Sequence, residues 1–264
     1  MAQTARIIAD WMAEWADPAW AESYDNVGLL IGHEDEPVDT VVTALDATEG
    51  AIDYALSVGA QMLVTHHPLM FRATKRITDA DRDGARLLKI IERRLAVCAC
   101  HTNMDAALGG TNDLVVERLG LLDVRPLRPI PEAEGAGMGR IGILPRAHTL
   151  AEFAGLVKDV LEIPAVRVVS AHPETRLYRV ALCTGKGMEF YEDAVREQAD
   201  VFLTGDVVYH EAEEALLRPT AIVDAGHFGT EYPIADAMAQ YLHEKDEWLN
   251  VFPYAGAKDP FVIL

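Results

Sequence analysis

Thiols are scarce in this chain. Its 264 residues include three cysteines, Cys98, Cys100 and Cys183, and no C-x-x-C pair. That count rules out a disulfide framework and gives no thiolate zinc signature. Cys98 and Cys100 share one side of the apolar run 95–100 and read as small buried strand residues rather than zinc or redox groups. An odd number of cysteines fits a reducing cytoplasm, the expected location. Positive charge is also in short supply: 23 basic residues face 42 acidic ones, a formal net charge of −19. A surface of that sign repels nucleic-acid phosphates and anionic lipids, so neither is expected as a general partner, though local basic pockets stay open. No segment is long and apolar enough to span a membrane. The N-terminus has no basic stretch before an apolar core, which argues against a secretory signal. Exact repeats, low-complexity tracts, a P-loop and a dinucleotide fingerprint are all absent.

Apolar residues make up 50% of the chain, enough for a sizeable core in one large domain or two smaller ones. Ile7, Ile8, Trp11, Met12 and Trp15 have helical spacing, with Thr4 as a possible cap. Strand-like runs then alternate with helical ones: strands at 27–31, 40–45, 61–64 and 95–100, helices at 49–58, 81–93 and 111–119. Thr111 stands at the cap of the last, and Gly120 at its stop. The stretch 126–139 holds three prolines and three glycines and reads as a connection between lobes. Beyond it come strands at 139–144, 165–170, 177–183, 201–203 and 220–223. Helices are expected at 149–161, 187–198, 207–216 and 234–243. This alternation predicts an α/β fold of two lobes with mixed, largely parallel sheets. The expected division is 1–127 plus 220–264 for the metal-site lobe and 128–219 for the second.

Several apolar strands end in short polar turns. One strand runs into Thr65-His66-His67, another into His101-Thr102-Asn103-Met104-Asp105. A third runs into Thr204-Gly205-Asp206, and a fourth into Asp224-Ala225-Gly226-His227, with Glu231 four residues on. Ligands of open α/β sheets bind beyond the carboxyl ends of strands, so these tips could meet in one site. On extended backbone, adjacent side chains point in opposite directions, so His66 and His67 suggest two ions rather than one. The alternative is a surface loop with two exposed histidines. His101 and Asp105, taken alone, read more readily as ordinary loop polarity than as ligands. His227 and Glu231, at i, i+4, would share a helical face as metal ligands or as a solvated pair. His210 is expected to pack or to line the cleft. Gly185-Lys186-Gly187 is a weak phosphate cradle or a plain strand-to-helix turn. Together, His66, His67, Asp105, His227 and Glu231 make an N/O donor set that suits Zn, Mn, Fe, Ni or Co. Two such ions about 3.5–4 Å apart can share a water and lower its pKa.

These residues resemble the Nif-three-like family, also called GTP cyclohydrolase I type 2 homologues. The resemblance is carried by Ala21-Glu22-Ser23-Tyr24-Asp25-Asn26-Val27-Gly28-Leu29, Thr65-His66-His67-Pro68 and His101-Thr102-Asn103-Met104-Asp105. Thr204-Gly205-Asp206, with His210 after it, and Gly226-His227-Phe228-Gly229-Thr230-Glu231 follow in family order, nearly spanning the chain. The resemblance implies a toroidal homohexamer of two-lobed α/β subunits, each with two divalent metal ions. His66, His67, Asp105, His227 and Glu231 are the implied ligands. Glu231 bridges the ions, with His67 and Asp105 on one and His66 and His227 on the other. His101 is implied as a cleft histidine that either backs the ligands or transfers protons, and His101 and Glu231 as the catalytic residues. The segment Thr184-Gly185-Lys186-Gly187-Met188 departs from the family's glycine-serine pattern. Lys186 there either favours an anionic substrate or lies outside the site.

Three functions are compatible with this reading. The first is a metal-dependent hydrolase resembling GTP cyclohydrolase, opening a purine nucleotide ring and releasing formate, with His101 shuttling protons. The second is a dinuclear phosphoester or amide hydrolase. The third is a non-enzymatic, ring-shaped metal-binding scaffold for protein partners.

Overall fold

Apolar runs of four or five residues, each followed by an amphipathic segment, become buried strands with helices packed on them. The structure, a computed structural model, describes residues 2–263. The chain opens with β1 (Gln3–Thr4), α1 (Ala5–Trp15), β2 (Gly28–Ile31), β3 (Pro37–Val38), β4 (Thr40–Ala44), α2 (Glu49–Ser57), β5 (Met62–Thr65), α3 (Arg82–Glu92) and β6 (Ala96–Ala99). It continues with α4 (Thr102–Ala106), α5 (Thr111–Leu119), β7 (Leu122–Pro129), β8 (Gly137–Thr149), α6 (Leu150–Leu161), β9 (Arg167–Val169) and β10 (Arg176–Leu182). The remainder is α7 (Tyr191–Arg196), β11 (Val201–Thr204), α8 (Tyr209–Ala215), β12 (Ala221–Asp224), α9 (His227–Glu231), α10 (Ile234–Lys245) and β13 (Asn250–Pro253). Among the described residues no helix is long and apolar enough to cross a membrane.

Two units divide the chain. One is Met1–Met104 with Pro233–Lys258, the other Asp105–Tyr232 with Asp259–Leu264. The expected borders at 127/128 and 219/220 therefore shift. β7 pairs antiparallel with β8, and β12 lies between β11 and β9, so both belong to the second unit's sheet. The proline- and glycine-rich stretch 126–139 is not a connection between lobes. It is the tip of the β7–β8 hairpin, and its turn residues serve one sheet.

In the first unit the sheet order is β13-β4-β5-β6-β2. β13, β4, β5 and β6 run parallel, and β2 is antiparallel to β6. One rung of the register sets the chemistry: Ala44 lies opposite Thr65, Thr65 opposite Ala99, and Ala99 opposite Gly28. The residues after β4, β5 and β6, and those before the reversed β2, thus emerge at the same edge. The strands are held by a core of Val42, Ile52, Leu63, Ile90 and Val97. Each such buried side chain stabilises the fold by about 1.5–3 kcal/mol relative to exposure. Thr4 caps α1 through Ile7 N–H, as its position predicts.

The second unit's sheet runs β7-β8-β10-β11-β12-β9. Only its centre, β10-β11-β12, is parallel; the flanking pairs are antiparallel. Leu182, Leu203 and Val223 share a rung, so the turns after β10, β11 and β12 also open at one edge. Phe153, Val157 and Leu161 of α6 pack on Val180, Leu203 and Val223. A Thr149/Glu152 capping box starts that helix. α5 ends at Gly120 in the left-handed region (φ +64°), as expected, but Thr111 is not its cap. Gly110 holds the cap position, and the Thr111 hydroxyl is turned to Asp105 instead.

Candidate metal centre

At the edge of the first unit's sheet, His66, His67 and His101 come together. Their nearest ring nitrogens lie within 4.8 Å of one another, and the His66 and His67 ring centroids are 4.9 Å apart. The expected opposition of His66 and His67 does not occur. β5 ends at Thr65, so strand alternation no longer governs the next two residues, and both imidazoles turn to one side. Each ring is held through Nδ1. His66 Nδ1 donates to the Cys100 carbonyl at 2.8 Å. A carbonyl only accepts, so the neutral His66 ring carries its lone pair on Nε2, the form that ligates a metal. His67 Nδ1 lies 2.8 Å from Asp46 Oδ1, and His101 Nδ1 lies 2.8 Å from Asp25 Oδ1. Carboxylate-backed imidazoles of this kind are the usual support of metal-binding histidines.

Asp25 is the firmest of these supports. Burial by itself disfavours its charge, but hydrogen bonds from His101 and from Thr102 outweigh burial and hold the carboxyl well below the usual carboxylate range. Thr102 N–H donates at 3.0 Å, and its hydroxyl at 2.5 Å. Asp25 thus stays ionised against the His101 ring.

The second unit supplies Asp105, His227 and Glu231. Asp105 sits in α4 and is buried; its carboxylate accepts the Thr111 hydroxyl, and its carbonyl accepts Asn112 Nδ2 at 2.9 Å. The Thr184 backbone N–H donates to Asn112 Oδ1 at 3.0 Å, which ties this network to the turn after β10. His227 and Glu231 are the two ends of α9, side by side as the i, i+4 spacing predicts. Glu231 is buried, and an oxygen of Glu231 lies within 4.8 Å of one of Asp105. Two carboxylates that close and out of water repel unless a cation or a proton joins them. Their field is felt nearby: burial first, then the charges of Asp105 and Glu231, push the Cys183 thiol well up. His227 lies between acids, with Nδ1 2.9 Å from Asp206 Oδ2 and Nε2 2.9 Å from Glu231 Oε2. A neutral imidazole has one N–H and cannot donate to both. An imidazolium, or a cation at Nε2, satisfies the arrangement. Both donor sets therefore fit a divalent metal by their chemistry, and neither contains a thiolate.

The backbone makes room for Glu231. Gly185 has φ +60°, and a Cβ placed on it would lie 2.1 Å from Glu231 Oε1 and 3.3 Å from His227 Nε2. Gly185 N–H donates to Thr230 Oγ1 at 3.0 Å, which fixes the approach. The segment around Lys186 thus lies against proposed ligands, while Lys186 itself is exposed. His210 does not pack: it is exposed on α8, with Nδ1 3.7 Å from Glu213 Oε2. Three carboxylates escaped the sequence reading as supports, namely Asp25, Asp46 and Asp206. Asp46 and Asp206 each stand two residues past an apolar strand, a signal that was available. Their pairing with His67 and His227 depends on strand order, which was not.

Comparison with known proteins bears on the family and the fold. The family described as Duf34/NIF3 (NGG1p interacting factor 3) matches residues 3–260. A Clostridium acetobutylicum protein named GTP cyclohydrolase 1 type 2 homolog is 33% identical over 243 residues, covering 92% of this chain and 90% of that one. A Streptomyces coelicolor protein of the same name is 35% identical over 228 residues, covering 85% and 80%. A Bacillus cereus crystal structure of a protein related to NIF3 superposes with a TM-score of 0.93 at 25% identity, covering 100% of both chains. A Staphylococcus aureus hypothetical protein superposes at 0.88 with 26% identity, again over 100% of both. With a family match across nearly its whole length, the chain belongs to the Duf34/NIF3 family.

Proposed function

We propose that this chain is a dinuclear-metal-dependent hydrolase acting on a purine nucleotide, in the manner its relatives' name suggests. His66, His67, Asp105, His227 and Glu231 would hold two divalent cations. The observation that carries the reading is the buried pair Asp105 and Glu231, whose oxygens lie within 4.8 Å, an approach that a cation held by both would favour. When bound, such cations supply Lewis acidity and a water of lowered pKa. The chain's own residues supply the rest. Cys100 O, Asp46 and Asp206 orient the His66, His67 and His227 rings and present Nε2. His101 takes or returns a proton at Nε2, and the ionised Asp25 at its Nδ1 stabilises the imidazolium so formed. Assembly as a homohexamer belongs to the same proposal, and light scattering of the purified chain tests it.

The function is tested in two steps. Elemental analysis of protein purified without added metal is expected to give two transition-metal ions per chain, and fewer in Glu231→Ala. Metal-loaded protein is then expected to release formate from GTP. Full metal occupancy with no formate, beside an active control enzyme, would remove the substrate assignment and leave the metal centre. Activity that survived both chelation and Glu231→Ala would remove the metal mechanism.

A further inference from the structure

No acid occurs between Asp53 and Asp79, in a chain where acids outnumber bases 42 to 23. This stretch contains His66 and His67 and then Arg72, Lys75 and Arg76, all three exposed. Of the eight other cations of the same unit, five have carboxylate partners among the described residues, Arg6 with Glu34, Arg86 with Asp83, Lys89 with Asp53, Arg94 with Glu36 and Lys245 with Glu14, while Arg82, Arg93 and Lys258 stand apart from this segment without one. Among the described residues Arg72, Lys75 and Arg76 have no ion pair and no side-chain hydrogen bond. A protein this acidic has carboxylates available; leaving three cations unmatched within five positions keeps them for something else.

The root of this segment is built, not loose. Asn26 Nδ2 donates to Met70 O at 2.7 Å. The Phe71 ring stands edge-on to His101, with centroids 6.0 Å apart and planes at 87°. Tyr24 meets Phe71 at 6.2 Å and 72°. Three consecutive residues thus have three tasks: Tyr24 backs Phe71, Asp25 holds His101, and Asn26 anchors the chain before Phe71. Yet Tyr24 is 57% and Phe71 46% exposed. Two large aromatic rings left half in water beside a cluster of imidazoles form a platform on which a planar ring can stack. Arg76 is five residues past Phe71, at most roughly 18 Å of chain. A polyphosphate tail extending from a stacked base falls within that reach.

We propose that Phe71 and Tyr24 bind the heterocycle, and Arg72, Lys75 and Arg76 the phosphate chain, of a substrate of the nucleoside-polyphosphate class at the histidine cluster. This rests on the reading of the centre as nucleotide-directed, and it assigns recognition to residues outside the proposed ligand set. Guanidinium and ammonium groups on an exposed segment suit phosphates, since their charge-assisted hydrogen bonds need no rigid cage.

The test is binding, not turnover. GTP, guanosine and inorganic triphosphate are titrated calorimetrically into the full-length protein as purified, into Arg72→Ala/Lys75→Ala/Arg76→Ala, and into Phe71→Ala. The triple variant is expected to weaken GTP and triphosphate by roughly tenfold and to leave guanosine unchanged. Phe71→Ala is expected to weaken GTP and guanosine by roughly tenfold and to leave triphosphate unchanged. All four side chains are exposed, so unchanged thermal midpoints will show that the variants fold. The proposal is overturned if wild-type protein binds no GTP, if the triple variant binds it as wild type does, or if Phe71→Ala weakens triphosphate as much as guanosine. It is overturned equally if a single-stranded oligonucleotide binds through this segment more tightly than GTP. Protein that binds in the expected pattern but releases no formate supports this proposal while refuting the hydrolase; active protein whose binding ignores these variants does the reverse.

Discussion

Gly185→Ala is the most incisive perturbation of the proposed centre, because one added carbon strikes a residue proposed as a metal ligand. The new Cβ would lie 2.1 Å from Glu231 Oε1 and 3.0 Å from its Cδ. An ordinary carbon–oxygen contact is near 3.3 Å, so Glu231 or the backbone must give by about 1.2 Å. Glu231 has little freedom, being buried and only 2.9 Å from His227 Nε2. Two costs add. The left-handed backbone at φ +60° penalises alanine by about 1 kcal/mol, and the overlap adds about 1–3 kcal/mol. Gly120→Ala isolates the first cost: its φ is +64°, and nothing lies within 4 Å of the added carbon. Urea denaturation of metal-free protein should therefore place Gly185→Ala about 1–3 kcal/mol below Gly120→Ala. Metal titration should show affinity reduced by at least roughly tenfold in Gly185→Ala and unchanged in Gly120→Ala. Equal stability of the two variants, with wild-type metal affinity in both, would refute the argument that this glycine makes room for a ligand.

Asp206→Asn should reduce metal affinity by about 10–100-fold while changing the metal-free thermal midpoint little, because the side chain acts by orienting His227; unchanged affinity would free His227 from that dependence. Arg140→Leu should cost about 3–5 kcal/mol in denaturant unfolding. That guanidinium is 1% exposed and serves Asp113 and the carbonyls of Ala107, Gly137 and Gly139; in the variant Asp113 loses its counter-charge and keeps only the Gly109 N–H, and Ala107 O keeps only the Gly110 N–H. A loss below about 1 kcal/mol would mean that water replaces it. Tyr191, hydrogen-bonded to Thr220 O, is pushed up to about 12, first by burial and then by the Glu192 charge. A phenol raised in the folded state contributes stability that is complete below its unfolded pKa of about 10 and is lost as pH rises from there through 12. Alkaline titration should show tyrosinate forming late at this residue together with falling stability. Loss of the late phase in Tyr191→Phe would assign it, and a late phase that persisted there would contradict the assignment.

Much of the fold was legible because local rules decided it. Apolar runs at 40–44, 62–65, 96–99, 201–204 and 221–224 are short, bounded by turns and too apolar for anything but buried strands. Helix starts were legible where a side-chain oxygen caps the next turn, as at Thr4 and Thr149, and were misread at Thr111, whose hydroxyl has a more distant partner in Asp105. The stretch 126–139 was misread for a related reason: prolines and glycines mark a turn but do not say what the turn connects. The pairing of β7 with β8 decides that, and pairing is non-local.

For the centre, the sequence by itself determined which donors are available, oxygen and nitrogen without sulfur, and that His66, His67 and His227 follow the ends of strands. It also determined that His227 and Glu231 are neighbours, since a single helical turn brings i and i+4 together. Tertiary structure decided the rest. The rung through Ala44, Thr65, Ala99 and Gly28 brings Asp46, His66, His67, His101 and Asp25 to one edge. The parallel centre of the second sheet does the same for Gly185, Asp206 and His227. The end of β5 at Thr65 turns both imidazoles to the same side, against the alternation their adjacency suggested. Spacing along a chain specifies geometry only within one element. Which carboxylate backs which histidine is a matter of strand order and register, and those are set by the packing of the whole sheet.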